Sequence, residues 1–251
     1  MIQFDLMFFA VAIPAVMFAG ISKAGFGSGA AFAATPLLAL ILPPSAAVGL
    51  MLPLLMLVDL STLRPYWKRW DGRAALLLIL GAVPGVILGA LLYRMTNPDV
   101  FRFLIGTVAV TFVLYQLAMK NGLLRPRSRP FPPAGAVVAG TTAGFTSFVS
   151  HAGGPPVAIY LLSSGMGKTT FQATTVLTFW AINLMKFVPY AGLGIFTPET
   201  LKADLMLAPV ALIGAYLGVR AHHLVPERLF FTLTYALLLA TGSKLIWDAL
   251  S

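Results

Sequence analysis

Polar and ionisable side chains within long apolar runs are the residues of this sequence that could do chemistry. Asn183 and Lys186 lie three residues apart in one such run, so on a helix they share a face. An amide beside an ammonium group offers an anion both hydrogen bonds and a positive charge. Because Phe187, Val188 and Tyr190 follow Lys186, its ammonium group is not expected to reach a polar surface. This pair predicts an anion-binding site in an apolar environment.

Asp59 and His151 are the candidates for carrying a proton. Asp59 lies in an apolar run, where a carboxylate is costly unless it is paired or protonated. It is therefore expected to bind a proton or to pair with a basic group such as Arg64 or Lys186. His151 is either a satisfied helix-end donor or a ligand and proton-binding group, and we favour the second interpretation. Lys23 ends the first apolar run, and both a surface position and a buried one stay open for it.

Two glycine-rich stretches interrupt the apolar pattern. Glycine allows close backbone approach, and each break is expected to end one half-helix and begin another. The N-terminus of a half-helix presents free N–H groups and a positive dipole end, which suits an anion. Close helix packing is the alternative, and we favour it for Gly85, Gly89, Gly214 and Gly218. The residues of the breaks expected to bind the substrate are Gly27, Ser28, Ser147, Ser150, His151, Gly153 and Gly154.

These breaks belong to a pattern that the chain carries twice. Residues 19–36 read AGISKAGFGSGAAFAATP, and residues 139–155 read AGTTAGFTSFVSHAGGP. Pro65-Tyr66 recurs as Pro189-Tyr190, and on the same offset of 124 residues Asp59 matches Asn183. Two halves that each open with a glycine-broken apolar segment are typical of secondary transporters, whose site lies where the breaks meet.

Composition places the chain in the membrane. Of its 251 residues 59% are hydrophobic and only 10% charged, far from the values of soluble domains. Several apolar runs reach the length of a bilayer span, whereas 28–42 and 154–164, which follow the breaks, are short. The net charge of +9 lies in short loops, as the positive-inside rule requires, so a nucleic-acid partner is not expected. The chain has no cysteine for disulfides and no nucleotide-binding loop for ATP. No metal or other cofactor is expected.

Loop charge also predicts topology. The loops at 64–73 and 120–129 are strongly basic and should be cytoplasmic, whereas 191–200, the counterpart of the first, has no Lys or Arg. This difference favours two inverted halves of five segments each, with the N-terminus outside. Parallel halves of four spans, each with a kinked or re-entrant break, are the alternative. No Lys or Arg precedes the first apolar run, so that run is expected to be a retained segment rather than a signal peptide.

The chain resembles the sulfite exporter TauE/SafE family of anion permeases. The likeness rests on the duplicated glycine-rich segments that end in proline, and on Asn183 and Lys186 in a helix that ends near Pro189-Tyr190. The resemblance implies about eight spans and the transport of sulfur-containing anions. The second repeat departs from the glycine pattern, with Thr146, Phe148 and Val149 in place of glycines and alanine.

Together these observations predict an all-α polytopic protein of 8 to 10 membrane segments, expected in a bacterial inner membrane. Its parts would be an N-terminal repeat (1–124), a linker (125–133) and a C-terminal repeat (134–251). The expected function is secondary transport of sulfite, a sulfonate, sulfoacetate or a related organic anion, without enzymatic activity. Two rivals are an anion channel and, less favoured, an intramembrane serine protease built on Ser28 and His151. The expected partners are a small anion and the lipid bilayer, and a homodimer is allowed.

Overall fold

The predicted all-α class is confirmed in the computed structural model, which describes residues 2–25, 31–124, 130–221 and 227–251. These ranges contain ten α-helices, a short 3-10 turn (Ala31–Ala33) and no β-strand. Residues 26–30, with the predicted site residues Gly27 and Ser28, and 125–129, most of the predicted linker, lie outside the described residues. The helices are α1 (Leu6–Gly25), α2 (Ala34–Ala39), α3 (Pro44–Leu63), α4 (Gly72–Met95), α5 (Pro98–Lys120), α6 (Pro133–Ser150), α7 (Gly154–Ser163), α8 (Lys168–Gly192), α9 (Pro198–Ala221) and α10 (Glu227–Leu250).

The long helices are suited to a bilayer. Helices α1, α3, α4 and α5 and residues Pro198–Arg220 of α9 are long and apolar enough to cross a membrane. Large apolar side chains point away from the protein along these helices, for example Leu80, Ile87 and Leu91 of α4, each half or more exposed. An exposed apolar surface of this kind is stable in contact with lipid rather than water. The protein is therefore a polytopic membrane protein.

Two helices are too short to span. Helix α7 has ten residues, which corresponds to about 15 Å against a hydrocarbon core of about 30 Å. Helix α2 has six residues. Each lies just after one of the predicted glycine breaks, and in the second half the break between α6 and α7 is directly observed at residues 151–153. The short segments of the sequence are therefore helices that are not long enough to cross the bilayer by themselves.

Glycines allow several helix pairs to approach at backbone distance, among them α1 with α9 and α4 with α6. In α1 and α9, a Cβ atom built on Gly25 would lie 2.3 Å from the Gly218 carbonyl oxygen, and one on Gly214 would lie 2.7 Å from the Met17 carbonyl oxygen. In α4 and α6, a Cβ atom on Gly85 would lie 2.0 Å from the Thr141 carbonyl oxygen. The packing role favoured for Gly85, Gly89, Gly214 and Gly218 is thus confirmed, and Gly25, which lies in the first glycine-rich stretch, also packs in this way.

Two other helix pairs run antiparallel. Along α3 and α8, Gly49 packs against Ile195 just beyond the end of α8, Asp59 contacts Asn183, and the Asp71 backbone N–H after α3 donates to Thr174 Oγ1 near the start of α8. Along α5 and α10, Gly106 meets Ile246, Val110 meets Gly242, and Phe112 meets Tyr235. The two helices of each pair therefore run in opposite directions. These pairs are the third and fifth helices of the two predicted halves.

Gly85→Ala and Gly214→Ala are expected to lower stability, although alanine is the better helix former, because the added methyl group would overlap a backbone carbonyl oxygen. Gly72→Ala is the control, since no atom lies within 4 Å of its Cβ position. The measurement is the thermal unfolding midpoint of purified protein. Equal midpoints for all three variants would contradict the proposed packing.

The antiparallel course of α3 and α8 predicts that their C-terminal ends face opposite sides of the membrane. Gly72 comes after the end of α3 and Gly192 is the last residue of α8; both are exposed, and neither has an atom within 4 Å of its Cβ position. Because the chain has no native cysteine, Gly72→Cys and Gly192→Cys can be labelled separately with an impermeant thiol reagent in oriented vesicles. We expect Gly72→Cys to react from the cytoplasmic side and Gly192→Cys from the other. Reaction of both from one side would refute the opposed orientation.

Candidate functional site

Helix α8 brings Lys186 into the core. The Lys186 side chain is fully buried, and its ammonium group donates to three acceptors, the Ser147 carbonyl oxygen (3.0 Å), Ser147 Oγ (2.9 Å) and His151 Nδ1 (2.8 Å). All three acceptors are neutral. Within the described residues the ion pairs are Lys23–Asp59, Arg102–Asp99 and Lys244–Asp248, so none includes Lys186. The core thus holds a lysine amino group that has hydrogen-bond partners but no carboxylate in contact.

His151 ends α6 and faces Lys186. Its backbone is left-handed, with a φ of 59°, and its N–H donates back to the Ser147 carbonyl oxygen, which turns the chain out of the helix. The ring Nε2 lies 3.0 Å from the carbonyl oxygen of Val48 in α3, a group that only accepts. Nε2 therefore carries the proton, and Nδ1 accepts from Lys186. In this arrangement the His151 ring is neutral.

Asp59 forms an ion pair with Lys23, for which the sequence left both a surface and a buried position open. Lys23 Nζ lies 2.9 Å from Asp59 Oδ2, and Asn183 Nδ2 donates to the same oxygen at 2.8 Å. Asp59 is fully buried and Lys23 is only 6% exposed, so the surface position considered for Lys23 is wrong. The partners predicted for Asp59, Arg64 and Lys186, are also not its contacts in the structure. The other carboxylate oxygen, Oδ1, has no hydrogen-bond partner among the described residues.

The two polar clusters are joined through α8. Asn183 donates a hydrogen bond to Asp59, while Lys186, one turn further along, donates to Ser147 and His151. The predicted pairing of Asn183 with Lys186 on one helix face therefore matches the observed contacts. The site as a whole lies between α1, α3, α6 and α8, at the meeting of the two predicted halves.

The break between α6 and α7 has fewer free backbone N–H groups for a ligand than the N-terminus of an ordinary half-helix would have. Pro155 and Pro156 are the second and third residues of α7, and proline has no N–H. The N–H groups of Gly153 and Gly154 remain, both residues are buried, and neither group donates a hydrogen bond to another described residue. A Cβ atom on Gly153 would lie 3.1 Å from Ser147 Cβ, so this backbone adjoins the Ser147 hydroxyl group that Lys186 contacts.

The remaining predicted residues differ in their placement. Ser150 is buried, but its hydroxyl group donates to the Thr146 carbonyl oxygen of its own helix at 3.3 Å, so in this conformation it faces α6 rather than Lys186. Gly27 and Ser28 lie outside the described residues. No group of three or more His, Cys, Asp or Glu side chains that could hold a metal ion occurs in the described part of the chain.

Sequence reasoning missed three contributions to the site. The Val48 carbonyl oxygen has no sequence signal, because any residue can supply it. Tyr190, noted only as a repeat marker, packs its ring edge-on against Phe148 and donates its hydroxyl proton to the Phe148 carbonyl oxygen at 2.6 Å. The Lys23–Asp59 contact joins residues 36 positions apart, and the only signal was that both ionisable groups lie in apolar runs.

Lys23→Met is expected to destabilise the protein by about 3–5 kcal/mol, because it leaves the buried Asp59 carboxylate without its ammonium partner. The double variant Lys23→Met with Asp59→Asn removes both charges and is expected to recover most of that loss. A double-mutant cycle on unfolding free energies in detergent measures the coupling. Additive losses in the double variant would show that the pair contributes no coupling energy.

Comparison with known proteins identifies a family that matches this chain. The family model described as sulfite exporter TauE/SafE matches residues 12–245. Neither a curated protein nor a solved structure matches the chain significantly. The matched region includes all ten helices in whole or in part and every residue of the site described above. Because the match covers nearly the whole chain, the protein belongs to the sulfite exporter TauE/SafE family of membrane anion transporters.

Proposed function

We propose that the protein is a secondary transporter that binds one small sulfur-containing or organic anion, such as sulfite, a sulfonate or sulfoacetate, beside Lys186. The observation that carries this proposal is the fully buried ammonium group whose three hydrogen-bond partners are all neutral. A buried charge is expensive unless an opposite charge compensates it. A bound anion would supply that compensation, and the buried N–H groups of Gly153 and Gly154 would hydrogen-bond it.

Two inverted repeats would provide alternating access. In support, α3 runs antiparallel to α8 and α5 to α10, as equivalent helices of inverted halves must, and the matched residues Asp59 and Asn183 contact each other. The close pairs α1–α9 and α4–α6 each join the first helix of one half to the fourth helix of the other. Rocking of such units about the buried site would expose it to one side and then the other.

Proton coupling would use His151 or Asp59. In the observed tautomer, His151 Nδ1 accepts a hydrogen bond from Lys186, so a proton bound at Nδ1 would face the ammonium group at 2.8 Å. The two groups cannot both be charged in this contact, and protonation of His151 would release Lys186 toward an anion. Asp59 has an unpartnered Oδ1 that could accept a proton. Asn183, Ser147 and Ser150 complete the proposed binding residues, Ser150 after rotation of its hydroxyl group.

The rival functions differ in measurable ways. A channel would show a flux that does not saturate with anion concentration, whereas a carrier saturates. For a Ser28–His151 protease, the His151 ring would have to act as a base, yet both of its nitrogens are engaged by Val48 and Lys186. Membership of a transporter family is consistent with a non-enzymatic role.

Lys186→Ala is expected to abolish saturable anion uptake into proteoliposomes, because the charge that balances the anion is lost. Lys186→Arg should restore uptake only in part, since a planar guanidinium group does not reproduce the compact contacts with Ser147 and His151. Lys244→Ala is the matched control, because Lys244 is an exposed lysine on α10. All variants are compared at equal amounts of reconstituted protein. Unchanged uptake by Lys186→Ala would refute the assignment.

A further inference from the structure

Only a few charged side chains are buried in the described part of the chain. The charged residues classed as buried in the described ranges are Lys23, Asp59, Lys186 and Asp204, together with the titratable His151. Asp204 is remote from Lys23, because it lies ten residues before Gly214, about 15 Å back along α9, while Lys23 lies beyond the point where Gly214 meets Met17. The charged groups that act electrostatically on Lys186 are Lys23 and Asp59, and Asp204 is not among them. Residues 26–30, which read FGSGA, contain no ionisable side chain. Among the residues that the structure describes, the buried charges near the site are therefore those of Lys23, Asp59 and Lys186.

Two of these charges cancel. Asp59 Oδ2 accepts from both Lys23 and Asn183, which is the behaviour of an ionised carboxylate beside an ammonium group. Lys186 lies one helical turn from Asn183, and His151 is neutral in the observed tautomer. The sum over Lys23, Asp59 and Lys186 is a single positive charge.

From this balance we infer that the single net positive charge, which remains because Lys23 and Asp59 cancel each other, makes the site selective for monovalent anions. A monoanion brings the buried charge to zero, whereas a dianion leaves a net negative charge in a medium of low dielectric constant, where an uncompensated charge is expensive. Hydrogen sulfite and simple sulfonates would then bind better than sulfate, the sulfite dianion or sulfoacetate with both its acids ionised. This inference rests on the proposed function and ranks its substrates.

Four forms of the full-length protein test the inference by varying the charge of the pair. The wild type and the double variant Lys23→Met with Asp59→Asn have a site charge of +1, Lys23→Met alone has 0, and Asp59→Asn alone has +2. The probes are methanesulfonate, a monoanion, and sulfate, a dianion of similar size. For each form, thermal stabilisation of purified protein at fixed pH and ionic strength gives the midpoint concentration for both probes, and the readout is their ratio.

We expect the wild type to prefer methanesulfonate by at least about tenfold, and the double variant to keep that preference whatever its absolute affinity. Asp59→Asn should shift the ratio toward sulfate by about tenfold or more, and Lys23→Met should weaken the binding of both probes. If a single variant fails to fold, the wild type and the double variant still decide the question.

The outcomes separate this inference from the proposed function. Equal midpoints for the two probes in the wild type would overturn the selectivity and leave the anion site standing. A double variant whose ratio follows that of Asp59→Asn would show that the pair acts through geometry rather than charge, which also overturns the inference. If neither probe stabilises the folded wild type, the inference falls together with the anion site on which it rests.

Discussion

The ammonium group of Lys186 is buried without a carboxylate in contact, and the organisation of the core follows from accommodating it. Ser147 and His151 can reach the group because α6 ends beside α8, and Val48 of α3 orients the imidazole from the far side. Each donor of the group is thereby satisfied, and no carboxylate contacts it. Hydrogen bonds of this kind can be exchanged for an anion at moderate cost, whereas a fixed ion pair would have to be broken.

Close helix packing is what makes so small a polar site feasible. Within a membrane the hydrophobic effect does not drive helices together. Helix association therefore depends more on van der Waals contact between backbones, which small residues allow. Gly25 against Gly218 and Gly85 against Thr141 bring helices of opposite halves to within backbone distance. The same close contacts leave no room for lipid between these helices, and they connect the first helix of each predicted half to the fourth helix of the other.

The end of α6 illustrates how a helix break can serve binding. His151, rather than a glycine, has the left-handed conformation that stops the helix, and this turn directs its ring toward Lys186. The prolines that begin α7 fit the first turn of a helix but remove two N–H groups. The break therefore contributes a side chain and two backbone N–H groups, instead of the full set of donors at an ordinary helix N-terminus.

Much of this protein could be predicted from local patterns, and the limit of those patterns has a physical reason. Apolar composition, run lengths and glycine spacing are properties of neighbouring residues, so they predicted the helices, the short segments, the packing glycines and the family. The shared face of Asn183 and Lys186 follows from helical periodicity in the same way. The partner of Asp59 could not be predicted, because Lys23 on α1 and Arg64 near Asp59 are equally basic in the sequence, and only the packing of α1 beside α3 places Lys23 at 2.9 Å. The role of the Val48 carbonyl oxygen was likewise beyond prediction, since every residue has that group and its function here depends on which helix the fold sets opposite His151.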